Sequence, residues 1–575
     1  MTARKATVSG FAAVALLASC AAPPQGGESS AVRGPVLGAA RGSALKACEG
    51  LRGAFGFAHT QVDSAAPVPA GGLALSGRPV PAHCLVMGRM HPRRGADGRD
   101  YAIGFEMRLP QEWNGRFYYQ GNGGLDGNVQ PAQGALGGGP LTGALMQGFA
   151  VISSDAGHSG AQTPYFGLEP QARLDYGYQA VVKLTPMAKA LVAAAYGRPP
   201  DRSYIGGCSN GGRHVMVAAA RLGSEYDGYL VGAPGYRLPL AALAQLWGAQ
   251  QWAPLATPGA TARHPMNPNA TIADLASAFT TAERRAVADA ILERCDALDG
   301  ARDGIVQATQ ACQAAFSLDR DVRNCAGARD GTCLTAAQKR TLAGVFAGAR
   351  IGQGPTFYAP FAFDPGLAAA NWAQWKFVNS LALDPLAVGA VFSVPPGRVD
   401  PLKEDLAARL PLLSATDDAF RESGLALMSP PGQENLSNLD ALRARGAKLV
   451  LYHGVSDAVF SAEDTRQWWE RVDRATGGRG AQFARYFPVP GMNHCSAGPA
   501  ADQFDLLTPL VRWVEEGVAP QSVTASVRGP GNPGGANPEL PAGWSPSRTR
   551  PLCAHPSIAR YKGGDLEKAE SFECR

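Results

Sequence analysis

A short apolar run, Ser203 to Gly206, passes directly into Gly207-Cys208-Ser209-Asn210-Gly211, and a helical stretch, Gly212 to Leu222, starts at once. No other feature of the 575 residues restricts the fold as tightly. A strand that turns into a helix with no loop between them needs small residues on both sides of the turn, so that the two backbones can approach. The same alternation continues on both sides. Tyr101–Leu109, Arg116–Gln120, Ala150–Ser154 and Tyr229–Ala233 read as strands, and Tyr178–Ala195 has helical spacing of apolar residues. Strands alternating with helices predict an α/β fold around a mostly parallel sheet.

The alternation lapses between about Leu238 and Leu436 and resumes with a strand at Lys448–Tyr452, a helix near Ala462–Val472, a strand at Phe483–Phe487 and a helix over Asp502–Glu516. The span 238–436 therefore reads as an insertion that divides one core into two parts, 45–237 and 437–575. An apolar content of 45% against 18% charged residues is enough for a large core. The net charge of +5 is mild, and no basic run has interleaved aromatics, so nucleic acid is not an expected partner. Nothing in the sequence calls for an oligomer.

Arg4 and Lys5, then the apolar stretch Phe11–Leu17, form a targeting segment too short to span a bilayer. Leu17-Ala-Ser-Cys20 reads as a bacterial lipobox over residues 1–19, with Cys20 lipidated and 20–44 a flexible tether; the other reading is an ordinary secretory signal cut near Ala22. Either way the mature chain is expected outside the cytoplasm: in the periplasm, on the outer membrane of a Gram-negative bacterium, or secreted. Ten cysteines then remain: Cys48, Cys84, Cys208, Cys295, Cys312, Cys325, Cys333, Cys495, Cys553 and Cys574. An even number in an oxidising compartment predicts five disulfides.

The G-x-S-x-G frame between strand and helix presents Ser209 as a nucleophile at a helix N-terminus. An α/β-hydrolase orders its triad as serine, acid, histidine. Of the five histidines after Ser209, His494 follows the last predicted strand in a glycine-containing loop, and Asp457 ends the strand before it. Asp457 would fix the tautomer of His494 and stabilise its cation. His214, His264 and His555 lie on the helix behind the nucleophile, in a proline-rich loop and near the C-terminus. An oxyanion hole needs two N–H donors: Asn210 supplies one, and Gly123 or Gly124 of the early glycine loop the other. Cys208 precedes the serine and Cys495 follows the histidine. If the catalytic pair is within hydrogen-bond reach, these neighbours can bridge, and a cysteine held in a disulfide is no nucleophile. A further cluster, Asp296, Asp299 and Asp303, is broken by glycines and offers hard oxygen ligands suited to calcium, at a spacing unlike an EF-hand.

Together GCSNGGR to Arg213, SDAVFS to Ser461, GMNHC to Cys495, the aspartate cluster, Trp113–Arg116 with its glycine loop, and Asp175–Tyr178 resemble the tannase and feruloyl esterase family, which also contains the mono-hydroxyethyl terephthalate hydrolases (MHETases). The resemblance runs from about residue 45 to the end. It implies an α/β-hydrolase fold in which 238–436 is a lid domain carrying structural calcium, with the backbone carbonyls of Ala301 and Ile305 added to the aspartates. It also implies the pairs Cys48–Cys84, Cys208–Cys495, Cys295–Cys312, Cys325–Cys333 and Cys553–Cys574. It places His453 and Phe460 in an aromatic-acid pocket walled by lid aromatics, with Trp372 and Trp375 as candidates. Where MHETases use a lid arginine for the substrate's free carboxylate, this chain offers Lys376, a cation without the bidentate fork.

The resulting expectation is a serine esterase acting on small aromatic-acid esters, MHET-like monoesters or related aryl esters, through an acyl-serine. A feruloyl esterase or tannase acting on plant phenolic esters is the alternative. A lipid-anchored binding protein on an inactive hydrolase scaffold is the reading from another class, and a complete triad argues against it.

Overall fold

The computed structural model describes residues 36–430 and 439–575. The predicted signal segment, Cys20, most of the tether and Leu436 lie outside the described residues. Nine strands form the central sheet: β1 (Thr60–Val68), β2 (His83–Arg94), β3 (Asp100–Pro110), β4 (Arg116–Gly121), β5 (Ala150–Ser154), β6 (Arg202–Cys208), β7 (Gly228–Gly232), β8 (Lys448–Gly454) and β9 (Ala484–Val489). Their order across the sheet is β9-β8-β7-β6-β4-β5-β3-β2-β1. The pairs from β9 to β5 are parallel, and those from β5 to β1 antiparallel. The helices that matter for the site are α1 (Ala180–Tyr196), α2 (Asn210–Arg221), α3 (Leu238–Trp252), α4 (Thr281–Cys295), α5 (Ala462–Ala475) and α6 (Leu507–Glu516).

The parallel strands read as continuous apolar runs because both faces are covered, and period two sorts their residues. Tyr119, Ile152, Ile205, Val231 and Leu451 face one core with Leu184, Leu191, Val215 and Trp468. Their neighbours Tyr118, Val151, Tyr204, Leu230 and Val450 face the other, against Leu507, Leu510 and Trp513 of α6. The antiparallel edge β1–β3 is an addition to the mostly parallel sheet expected from sequence. Register shifts at Val62/Ser64 and Met90/Arg93 interrupt its alternation, which hides β1 and β2 from a period-two reading.

Among the described residues, no strand between β7 and β8 joins the central sheet. Part of that span has a core of its own, in which Trp252, Phe279, Val287, Ile291, Leu342, Phe346, Trp372 and Phe377 pack together with Ala458, while Leu243, Tyr358, Val388, Phe392 and Leu427 join the main core of the sheet. The five disulfides are Cys48–Cys84, Cys208–Cys495, Cys295–Cys312, Cys325–Cys333 and Cys553–Cys574.

Glycines decide how close α2 can sit to the sheet. A Cβ on Gly211 would lie 2.3 Å from the Gly121 carbonyl oxygen, and one on Gly212 the same 2.3 Å from that of Gly232. Gly211→Ala is therefore expected to destabilise the fold by about 1–3 kcal/mol through overpacking against backbone, read as a lower midpoint in urea unfolding.

Candidate active site

β6 ends at Cys208, and Ser209 follows in a tight turn with φ 66° and ψ −129°, a region that residues with a Cβ rarely occupy. The turn is held by its own backbone: Ser209 N–H donates to Gly232 O at 3.0 Å, and Arg213 N–H donates to Ser209 O at 3.0 Å. The hydroxyl is thereby lifted to the N-terminal end of α2, above the carboxyl ends of the parallel strands, where ligand crevices form in such sheets.

His494 comes from the loop after β9 and Asp457 from the loop after β8. His494 Nε2 lies 2.7 Å from Ser209 Oγ, and its Nδ1 lies 2.7 Å from Asp457 Oδ2. The other carboxylate oxygen accepts from the N–H groups of Val459 (2.9 Å) and Phe460 (3.0 Å). Burial alone would raise the Asp457 carboxyl, but His494 and His453 hold it well below the usual carboxylate range. The acid therefore stays ionised and keeps His494 in the Nδ1–H tautomer, with Nε2 free to take the serine proton. Cys208 and Cys495 are bonded, with 6.0 Å between their Cα atoms. The bond ties the strand end behind the nucleophile to the loop of the base.

Asn210 opens α2 directly after Ser209, so its N–H is among those that have no partner within the helix. On the glycine loop, a Cβ on Gly123 would come 3.9 Å from Ser209 Cβ, whereas Gly124 has φ +64° and nothing within 4 Å of such an atom. Gly123 is thus the glycine that lies against the nucleophile.

Two rings stand edge-on to His494: Trp375 at 4.9 Å and 76°, and Phe460 at 5.3 Å and 79°. Three other expected pocket residues lie elsewhere. Trp372 is buried in the insertion's core against Phe377 (5.7 Å) and Phe279 (6.4 Å). Lys376 is also buried, its Nζ 3.6 Å from the Phe361 ring centre and 3.4 Å from Gln245 Oε1. Gln245 in turn donates to the carbonyls of Ala458 (3.1 Å) and Val459 (2.8 Å), so the lysine sits behind the acid loop and not in the acyl pocket. Burial lowers its pKa to about 7. Residues 372 and 376 are four apart, share one helical face and turn together into the insertion, while Trp375 points toward His494. His453 is fully buried, its ring between Thr465 Oγ1 (2.8 Å) and Asp457 Oδ2 (3.2 Å), so it supports the acid and lines no pocket.

Two carboxylates escaped the sequence reading. Asp364, buried in the insertion, accepts from Ser456 Oγ (2.5 Å) and Gly491 N–H (3.2 Å), joining the Asp457 loop to the His494 loop. Glu539 accepts from the N–H groups of Ala370 (2.7 Å) and Asn371 (3.1 Å) and from Gly498 N–H (2.7 Å), fastening the Trp375 segment to the His494 loop. Neither lies in a motif, and no sequence signal marks them.

The loop of Asp296, Asp299 and Asp303 is closed at its base by Cys295–Cys312. All three side chains are buried, and among the described residues only Asp303 has a basic partner, Arg550. Burial pushes Asp299 up to about 7, and the charges of Asp303 and Asp296 add to it against the N–H of Ala301. Charge and donor type suit a hard cation. The carboxylates are turned onto backbone N–H groups of their own loop, Ala301, Gly304, Ile305 and Gln307, and among the described residues no three acidic, histidine or cysteine side chains close around one point.

The sequence profile described as Tannase and feruloyl esterase matches residues 84–575. The chain belongs to this family. It is 39% identical over 576 residues to the mono(2-hydroxyethyl) terephthalate hydrolase of Piscinibacter sakaiensis, covering 92% of this chain and 91% of that one. A probable feruloyl esterase B-1 of Aspergillus fumigatus is 29% identical over 500 residues, 82% of each chain. The crystal structure of feruloyl esterase B from Aspergillus oryzae aligns with a TM-score of 0.71 at 25% identity, over 92% of this chain and 99% of that one. The tannin acyl hydrolase of Aspergillus niger, with a TM-score of 0.66 at 19% identity over 92% and 93%, shares the fold. The chain is a carboxylic ester hydrolase with an α/β-hydrolase fold.

Replacing Cys208 and Cys495 together by alanine is expected to lower stability by roughly 2–5 kcal/mol. Turnover per folded molecule should fall with it, because the bond joins the chain neighbours of Ser209 and His494. Thermal unfolding and active-site titration on the same sample check this; full turnover in a less stable protein would make the bond structural only.

Proposed function

We propose that this chain is an exported serine esterase of aromatic-acid esters that works through an acyl-serine. The observation that carries the reading is the unbroken chain Ser209 Oγ, His494, Asp457, each link 2.7 Å, with two aromatic rings edge-on to the histidine. In the proposed cycle Ser209 attacks the ester carbonyl while His494 Nε2 takes its proton. The N–H groups of Asn210 and Gly123 receive the oxyanion. His494 then gives the proton to the leaving alcohol, and a water activated in the same way releases the acid. Trp375 and Phe460 would hold the flat acyl ring.

The identity to the Piscinibacter enzyme supports a substrate of the terephthalate monoester type. The buried position of Lys376 favours the second reading, a feruloyl or gallate ester, because it removes the cation expected to meet a free carboxylate. Ser209→Ala and His494→Ala are each expected to lower turnover by on the order of a thousandfold or more, measured on an aryl ester. A panel of para-carboxylate benzoate, neutral benzoate, feruloyl and galloyl esters separates the two substrate classes. A wild-type preference for the carboxylate ester selects the first, and a preference for phenolic acyl groups the second.

The targeting segment and five disulfides support export, with lipidation of Cys20 as the form proposed. No helix among the described residues is long and apolar enough to cross a membrane. A structural calcium is proposed at Asp296, Asp299 and Asp303 with the carbonyls of Ala301 and Ile305, on the strength of the surplus buried negative charge. Bound calcium would neutralise that charge and hold the lid loop. Chelation should therefore lower the melting temperature and added calcium restore it, calcium at a hundredfold excess over Kd adding about 2.7 kcal/mol of stability. An unchanged melting curve with no calcium by elemental analysis would refute the site.

A further inference from the structure

The oxyanion hole proposed above draws its two N–H donors from separate parts of the chain, Asn210 on the elbow and Gly123 on the loop after β4. No covalent bond joins them, so their spacing depends on what lies between. The side chain of Asn210 is buried and uses both ends there. Its Nδ2 donates to Asp126 Oδ2 at 2.8 Å and lies 3.3 Å from Asn122 O. Its Oδ1 accepts from Arg213 Nε at 2.9 Å, and the Tyr176 hydroxyl stands 3.1 Å away. The same hydroxyl lies 3.3 Å from Gly124 O, on the glycine loop itself.

Asp126 is the pivot of this network. Its N–H donates to Gly123 O at 3.2 Å, so it closes the turn that carries the glycine donor. Its backbone is in the left-handed region, φ 54°, which aspartate visits more readily than most residues with a Cβ and which its surroundings here support. Those surroundings are Asn210 on one side and His214 on the other: His214 Nε2 meets the same carboxylate oxygen at 2.9 Å, the shortest contact of that nitrogen. A ring nitrogen so close to a carboxylate oxygen is a donor. His214 Nδ1 is buried with no partner, so the imidazole is spent on this one bond. His214 lies one helical turn after Asn210 on α2, and both side chains converge on the glycine loop.

We propose that Asp126, backed by His214, is a positioning residue for the oxyanion hole. It clamps the glycine loop to the nucleophile elbow and keeps the two N–H donors at the separation that an oxyanion requires. It touches neither substrate nor triad, and the inference rests on the serine-esterase reading.

The test compares Asp126→Ala, Asp126→Asn, His214→Ala and His214→Gln in the full chain on one 4-nitrophenyl benzoate substrate. The readouts are kcat and KM, melting temperature, and inhibition by benzeneboronic acid, whose tetrahedral adduct with a serine places an oxygen in the hole. Removing a hole donor outright costs about a hundred- to a thousandfold, so loosening one through Asp126→Ala should lower kcat by roughly ten- to a hundredfold. KM should change little, and the boronic acid should weaken by a similar factor. His214→Ala should show a smaller loss of the same kind. Asp126→Asn keeps an acceptor and His214→Gln keeps a donor at the Nε2 position, so both should recover most of the loss. The proposal is overturned if folded Asp126→Ala keeps wild-type kcat, or loses kcat while boronate affinity is unchanged. If Asp126→Ala does not fold, His214→Ala decides: full kcat and boronate affinity there overturn it equally. A wild type that hydrolyses no aryl ester sinks the esterase reading itself, whereas an active wild type with an unaffected Asp126→Ala sinks this inference alone.

Discussion

The site depends on one strained turn. Ser209 sits at φ 66° and ψ −129°, a conformation that costs of order 1–3 kcal/mol for a residue with a Cβ. It persists because its neighbours leave it no alternative. Gly207 and Gly211 both press on the Gly121 carbonyl, at distances where a Cβ would stand 2.5 and 2.3 Å away, so β4, β6 and α2 meet backbone to backbone. Ser209 N–H is bound to Gly232 O, and Cys208 is bonded to Cys495. Each constraint comes from a different strand or loop, and together they place the hydroxyl where the base can reach it.

The acid and base loops are fixed by the same logic of shared partners. Asp457 gathers two backbone N–H groups and two imidazoles around one carboxylate. Such a carboxylate is stabilised in its charged form, which is the form the base needs beside it. The inserted region takes part in this, and part of it packs directly into the main core. Asp364 bridges Ser456 and Gly491, Gln245 holds the carbonyls of Ala458 and Val459, and Glu539 fastens the Trp375 segment to Gly498. The insertion thus sets Trp375 beside His494 and also braces the loops of Asp457 and His494.

Much of this was legible in the chain itself. The elbow was readable because its signal is local: a strand, two flanking glycines and a helix in succession. The candidates Asp457 and His494 were readable because the strand order of an α/β-hydrolase places acid and base after known strands, and both strands were plain apolar runs. The adjacency of Cys208 and Cys495 to two of these residues was itself a distance statement, since neighbours of bonded partners are close. The antiparallel edge was less legible, because bulges in β1 and β2 break the alternation that identifies a strand.

What the sequence by itself determined is therefore the α/β frame, the elbow and the residue types that can form a relay. Each follows from periodicity, turn chemistry or order along the chain, which are fixed within a few residues. Only the tertiary structure decided which way the side chains face. Trp372 and Lys376 turn into the insertion's core while Trp375 meets His494, and His453 turns away from any pocket to support Asp457. The carboxylates of Asp126, Asp364 and Glu539 find their partners 84, 92 and 169 residues away. Facing and pairing of this kind are set by whichever surface packs against an element, and that surface is contributed by distant chain, so no local pattern can carry it.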